Sequence, residues 1–107
     1  VEALKTGEYR IILASVDLFA KVTDWGLLYS LAKKNGLERN IGAIYSLARK
    51  YFRLRRIDGR ILRRMKEAPV RYKYIIRNLR SDDFRDIEKE WGVLIPFNKT
   101  DMERIGR

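Results

Sequence analysis

The chain has 107 residues, 46% of them apolar, with two Trp, six Tyr and four Phe. That is enough for one core and too hydrophobic for a disordered polycation. It carries 24 Lys and Arg against 14 Asp and Glu, a formal charge of +10, with no cysteine and no histidine, which excludes disulfides, thiol catalysis, iron–sulfur clusters, haem, ordinary zinc sites and every His-based triad.

No internal repeat, low-complexity tract or Pro/Gly/Ser linker interrupts the sequence, so residues 1–107 read as a single domain. Thr6 is a cap for a helix running to about residue 22, with Ile12, Leu13, Val16 and Phe19 on one side. Thr23 or Asp24 caps a second helix in which Leu27, Leu28, Leu31 and Ala32 recur at helical spacing; Gly36 suits the left-handed residue that ends it. Asn40 is a cap for the third and longest helix, 41 to about 55, striped by Ile41, Ile44, Tyr45, Leu47, Ala48, Tyr51 and Phe52. Asp58 caps a short fourth helix carrying Ile61, Leu62 and Met65, and Pro69 closes it.

Residues 70–79 fit two periods. Tyr72 and Tyr74 alternate with Arg71 and Lys73 as in a strand, whereas Tyr72, Ile75, Ile76 and Leu79 recur as in a helix. With no obvious strand partner nearby, the helix is preferred. Ser81, Asp82 and Asp83 open a further helix to Trp91, with acids in its first turn as the dipole favours, and Gly92 ends it. Residues 93–97 form a short extended segment, and Asn98 caps a frayed final turn. The expected fold is mostly α, a small irregular helical bundle, with a short extended segment or hairpin after Pro69 as the variant.

The charge is concentrated. Residues 1–48 carry a net +1, residues 49–80 a net +11 and residues 81–107 a net −2. The middle stretch holds 13 basic side chains, ten of them Arg, interleaved with Tyr51, Phe52, Tyr72 and Tyr74. Arg forks onto phosphate and stacks on bases, so this composition points to nucleic acid. Arg49, Lys50, Arg53, Arg56, Arg60, Arg63, Arg64, Arg71, Tyr72, Lys73 and Tyr74 are the candidate contacts. A solvated basic face, an acidic protein partner and a membrane surface are the other readings of such a block. No run reaches the 18 or so apolar residues a membrane span needs, and no signal-peptide pattern opens the chain, whose leading Val1 reads as a trimmed or processed start. A soluble, cytoplasmic protein is expected.

Enzymatic constellations are sparse. Asp82, Asp83 and Asp86, with Glu88 and Glu90 beyond, form the one carboxylate cluster, and helix capping accounts for it better than a metal site. The glycines never take a phosphate-loop spacing, and no serine has a plausible base. Two corners remain. Trp25 and Tyr29, four apart, are either core or an aromatic wall for a base. Arg39 and Asn40 lead into the third helix, whose start could attract a phosphate that Arg39 forks and Lys33 and Lys34 reinforce; the alternative is a helix–turn–helix corner with a solvent-facing Arg.

Residues 24–65, DWGLLYSLAKKNGLERNIGAIYSLARKYFRLRRIDGRILRRM, resemble the helical C-terminal domains of DNA primases. The pattern is an aromatic residue before a leucine-rich helix, then Gly-x-x-Arg-Asn, then a helix with an aliphatic-x-x-Leu-Ala centre, then another Leu/Ile helix. It falls here on Trp25, Leu27, Leu28, Gly36, Arg39, Asn40, Ile44, Leu47, Ala48, Ile61 and Leu62. Primase large subunits hold an iron–sulfur cluster with cysteines, and this chain has none, so it looks most like the cysteine-free, non-catalytic third subunits of archaeal primases, the PriX family. The resemblance implies an accessory, non-catalytic role in primer synthesis during DNA replication. The chain would hold the template strand, single-stranded rather than duplex, and the initiating nucleoside triphosphate. Catalytic and large primase subunits would be its partners; it would need no cofactor of its own, and divalent metal would enter only through the catalytic partner. Arg39 and Asn40 would contact the nucleotide, with Trp25 or Tyr29 nearby. The competing expectation is a winged-helix or helix–turn–helix regulator of duplex DNA, with Arg49, Lys50, Arg53 and Arg56 in the major groove and residues 59–77 as a basic wing.

Overall fold

The computed structural model describes Ile12, Leu13, Val16 and residues 24–52, 54 and 56–105. Most of the expected first helix, with Thr6, Phe19 and the alternative cap Thr23, lies outside these residues. Ile12, Leu13 and Val16 are helical, and Ile12 and Val16, four apart, are fully buried. The rest is mostly helical: α1 (Trp25–Asn35), α2 (Glu38–Arg49), α3 (Gly59–Glu67), α4 (Arg85–Trp91) and α5 (Lys99–Ile105). Among the described residues no helix is long and apolar enough to cross a membrane.

Local chemistry sets most of the ends. Asp24 Oδ1 accepts from the Leu27 amide at 2.9 Å to start α1, and Gly36, at φ 69°, ends it in the left-handed region. Asp58 caps α3 through the Arg60 amide at 2.7 Å, and Ala68, in extended conformation just before Pro69, stops it. Gly92 closes α4 at φ 69°, its amide donating to the Glu88 carbonyl at 2.8 Å. Asn98 accepts from the Asp101 amide at 2.8 Å and starts α5, which is a full helix rather than one frayed turn.

The expected third helix is displaced. α2 begins at Glu38 and stops at Arg49. Gly36 turns the chain so tightly that the Leu37 amide returns to the Ala32 carbonyl and the Leu37 carbonyl already accepts from Ile41, both at 2.9 Å, so Leu37 and not Asn40 stands at the cap. At the far end the Tyr51 and Phe52 amides both fold back onto the Ala48 carbonyl, a tightened last turn.

α2 is the axis of the bundle, packed by α1, α3 and α4. Its Ile41, Ala43, Ile44, Tyr45, Leu47 and Ala48 are buried. Trp91 and Phe84 close the core from α4 and its approach, and Ile95, Phe97 and Met102 from the C-terminal segment, all at 2% exposure or less. Trp91 meets α2 at Gly42, where a Cβ would collide with its six-membered ring, and its indole Nε1 donates to Ser46 Oγ at 2.8 Å. Burying such a ring contributes roughly 3–5 kcal/mol, judged by Trp-to-Ala changes in cores.

Residues 70–79 are not helical. Tyr74 forms an isolated parallel bridge with Leu94: the Leu94 amide donates to the Lys73 carbonyl at 2.7 Å, and the Ile75 amide to the Leu94 carbonyl at 3.4 Å. The partner missing from the local sequence is the extended segment after α4, which the sequence does predict. Asn78, at φ 61°, turns the chain away before a helix could form. The helix at 81–91 is likewise shorter than expected, starting at Arg85 after Asp82 adopts φ 67°.

Candidate nucleic-acid interface

The acidic cluster does not cap its own helix. Asp83 Oδ2 accepts from the Lys99 amide at 2.9 Å, so it caps α5 instead. Asp86 takes Lys50 Nζ at 2.7 Å, Glu90 takes Lys66 Nζ at 3.1 Å, and Asp82 takes Arg80 Nε at 3.0 Å. Glu88 is buried; its Oε1 accepts from Arg80 Nη2 at 3.1 Å and its Oε2 from the Ile95 amide at 2.8 Å. The hydrogen bond from Lys50 holds the Asp86 carboxyl below the ordinary carboxylate range, and the bond to Glu88 raises the Arg80 guanidinium above its already high value. Among the described residues no group of three or more such side chains is placed to hold a metal ion.

This pairing divides the basic stretch. Lys50, Lys66 and Arg80 face the acids of α4 and its approach, and Lys50 and Lys66 also lie over the Phe84 and Trp91 rings, at 5.9 and 5.3 Å. Arg56, Arg63, Arg64, Arg71, Lys73 and Arg77 are exposed. Arg60 keeps only a loose contact with Asp58 at 3.8 Å, its side chain 88% exposed. Arg49 lies over the Tyr45 ring at 5.7 Å. Arg53 lies outside the described residues.

The aromatic candidates separate in the same way. Trp25 is core, edge-on to Tyr45 with centroids 5.3 Å apart. Tyr29 is half-buried, and Tyr51 packs edge-on to Phe84, where burial pushes its phenol upward. Tyr74 is half-buried in the bridge. Tyr72 is 52% exposed, between exposed Arg71 and Lys73.

Arg39 and Asn40 are turned onto the protein itself. Arg39 donates from Nε to the Ala68 carbonyl at 2.8 Å and from Nη1 to the Trp91 carbonyl at 3.1 Å. Those carbonyls stand at the C-terminal ends of α3 and α4, where a cation is favoured by the helix dipole and satisfies orphan acceptors. Asn40 is buried at 2% exposure and donates from Nδ2 to the Tyr72 carbonyl at 3.1 Å. The Arg39 donors thus serve the closing carbonyls of α3 and α4, and the Asn40 amide serves the backbone of the segment that carries Tyr72. Arg77, outside the expected set, is exposed on the same segment, and only its place in the basic stretch marked it.

A shallow groove of about 320 Å³ follows one face of α3, lined by Gly59, Leu62, Arg63, Lys66 and Glu67. Within the basic stretch, and among the described residues, α3 and the 71–77 segment therefore carry most of the exposed cations without a close ion pair, while α2 buries the middle of its length and leaves only Arg49 and Lys50 exposed near its end. Compared with protein-family models, curated proteins and solved structures, the chain matches none.

Proposed function

We propose that the protein is a non-catalytic, single-strand-binding accessory subunit of a DNA primase, using α3 and residues 71–77 to track the template backbone for a catalytic partner. The observation that carries the nucleic-acid part is the sorting of the cations. Among the described residues, Arg56, Arg63, Arg64, Arg71, Lys73 and Arg77 have no acidic neighbour within ion-pairing distance, whereas Lys50, Lys66 and Arg80 are matched with acids. A surface kept only for solubility gains nothing from such sorting, whereas a phosphate backbone needs unmatched arginines. The primase part rests on the resemblance of residues 24–65, whose helix–turn–helix–turn–helix order agrees with α1, α2 and α3.

The template-strand half of the role is the half these residues support. Arg39 and Asn40 serve it by fastening the surface in place, and metal chemistry would belong to the partner. The duplex-reading alternative fares worse. A recognition helix needs an exposed face, and α2 is buried from Asn40 through Tyr45; the first half of the expected wing, residues 59–67, is the helix α3.

Binding of a single strand and of the same sequence as duplex, followed across a salt series, tests the reading. Salt-sensitive single-strand binding that strengthens primer initiation by a reconstituted primase supports it. A strong duplex preference with a defined footprint sinks it.

A further inference from the structure

Tyr72 stands apart from the other aromatic side chains on the basic side of the molecule. Its ring is half exposed while its backbone is held from two directions. The buried Asn40 amide takes the Tyr72 carbonyl at 3.1 Å, and the next carbonyl, that of Lys73, takes the Leu94 amide at 2.7 Å. Arg71, the preceding residue, lies against Gly36, close enough that a Cβ there would collide with its Cδ and Nη1. Upstream, Arg39 grips the Ala68 carbonyl.

An exposed loop aromatic normally loses backbone and side-chain freedom when it binds. Here the backbone is already fixed, so a ligand meeting the ring incurs little ordering cost. The flanking Arg71 and Lys73 set the chemistry. A flat π face between two cations matches a nucleobase with a phosphate on either side, and base-on-ring stacking is blind to base identity.

We infer that Tyr72 is a base-stacking platform for one unpaired nucleotide of a single strand, and that Asn40 is the positioning residue that aims it. This deepens the single-strand reading above and rests on it. A paired base keeps its faces stacked on its neighbours, so the platform itself would select single strands over duplex.

Two strands of equal length, about 12 nucleotides, separate the ring from the charge: oligothymidylate, and an abasic strand with the same phosphates and no bases. Binding is followed by fluorescence anisotropy. The parent protein is expected to prefer oligothymidylate. Tyr72→Ala should weaken that strand about 5- to 150-fold, the range of one lost stack, and leave the abasic strand and the salt slope unchanged. Tyr72→Phe should match the parent. Tyr72→Leu, which keeps apolar bulk without a π face, should behave like the alanine variant and stands in for it should that variant misfold. Asn40→Asp, which cannot donate to the Tyr72 carbonyl, should lose the oligothymidylate preference while abasic binding persists; a merely structural role would weaken both strands together.

Equal loss on both strands, no loss on either, or a parent indifferent to bases would overturn the platform and leave the basic-surface reading standing. In the no-loss case the exposed ring would belong to a protein-docking face. A parent that binds neither strand overturns the platform and the single-strand reading together.

Discussion

The ring of Trp91 fills the space that a side chain on Gly42 would occupy, so helix α4 approaches α2 at the one position of α2 that lacks a Cβ. One turn further along α2, Ser46 accepts the indole N–H at 2.8 Å, which fixes the ring's orientation as well as its depth. Close helix packing and a satisfied indole are thus obtained from a Gly and a Ser spaced four apart.

Gly42→Ala should therefore reverse the usual sign of a glycine-to-alanine change within a helix. Propensity alone would stabilise α2 by roughly 1 kcal/mol. Displacing Trp91 costs about 1–3 kcal/mol, the range for overpacked cores, so net destabilisation is expected. Urea unfolding followed by tryptophan fluorescence gives the sign, and a raised midpoint would contradict the packing.

Arg39→Met keeps much of the aliphatic stem and removes the guanidinium that joins the C-terminal ends of α3 and α4. Hydrogen bonds from a charged donor are worth about 1.5–3 kcal/mol, and two half-buried carbonyls lose theirs together. A drop in stability of about 2–4 kcal/mol is expected in thermal or urea unfolding. A drop below about 0.5 kcal/mol, the scatter of neutral surface changes, would show that solvent replaces the guanidinium freely.

Asp86 gives a pH signature. Its folded carboxyl titrates below the unfolded value of about 3.9, chiefly because Lys50 donates to it. A depressed folded value means that the stability it adds is present above the unfolded value and is lost as pH falls through the folded one. Asp86→Asn should flatten the acid limb of the stability curve below about pH 5 and leave its slope near neutrality unchanged. Because both partners are substantially exposed, at 43% and 65%, the effect stays under about 1 kcal/mol.

The division of the cations is open to the same kind of count. Arg63→Ala and Arg64→Ala should each lower the magnitude of the log affinity against log salt slope for single strands by about 0.7. Lys66→Ala, whose ammonium already meets Glu90, should change it far less. Equal changes for all three would mean that the pairing with α4 does not govern which cations a strand meets.

What the sequence revealed of this fold follows the range of the forces involved. Asp24, Gly36, Asp58, Gly92 and Asn98 act within a turn of where they stand, and each marks the helix end it was expected to mark. The start of α2 departs from its sequence signal because Asn40 looks like a cap; its amide is used 32 residues away, at Tyr72. Residues 70–79 read as helix on their own because their pairing partner lies beyond α4. At the candidate interface, Arg60, Arg63 and Arg64 on the outer side of α3 follow from helical spacing around Met65. The pairing of Lys50 and Lys66 does not, since their carboxylate partners come from a helix distant in sequence. Arg39 shows the same limit, since carbonyls at remote helix ends leave no mark in sequence.

Asp83 ends up holding α5 although it belongs to the approach to α4, and Ser81 beside it donates to the Phe97 carbonyl just before α5 begins. A seven-residue helix does not persist in water on its own. α5 therefore lasts only as long as the segment leading into α4 keeps its shape. The two short helices make one cooperative unit, so an opening that releases residues 81–83 strips α5 of its tie at Lys99, leaves only the local Asn98 cap, and exposes Met102 in the same event.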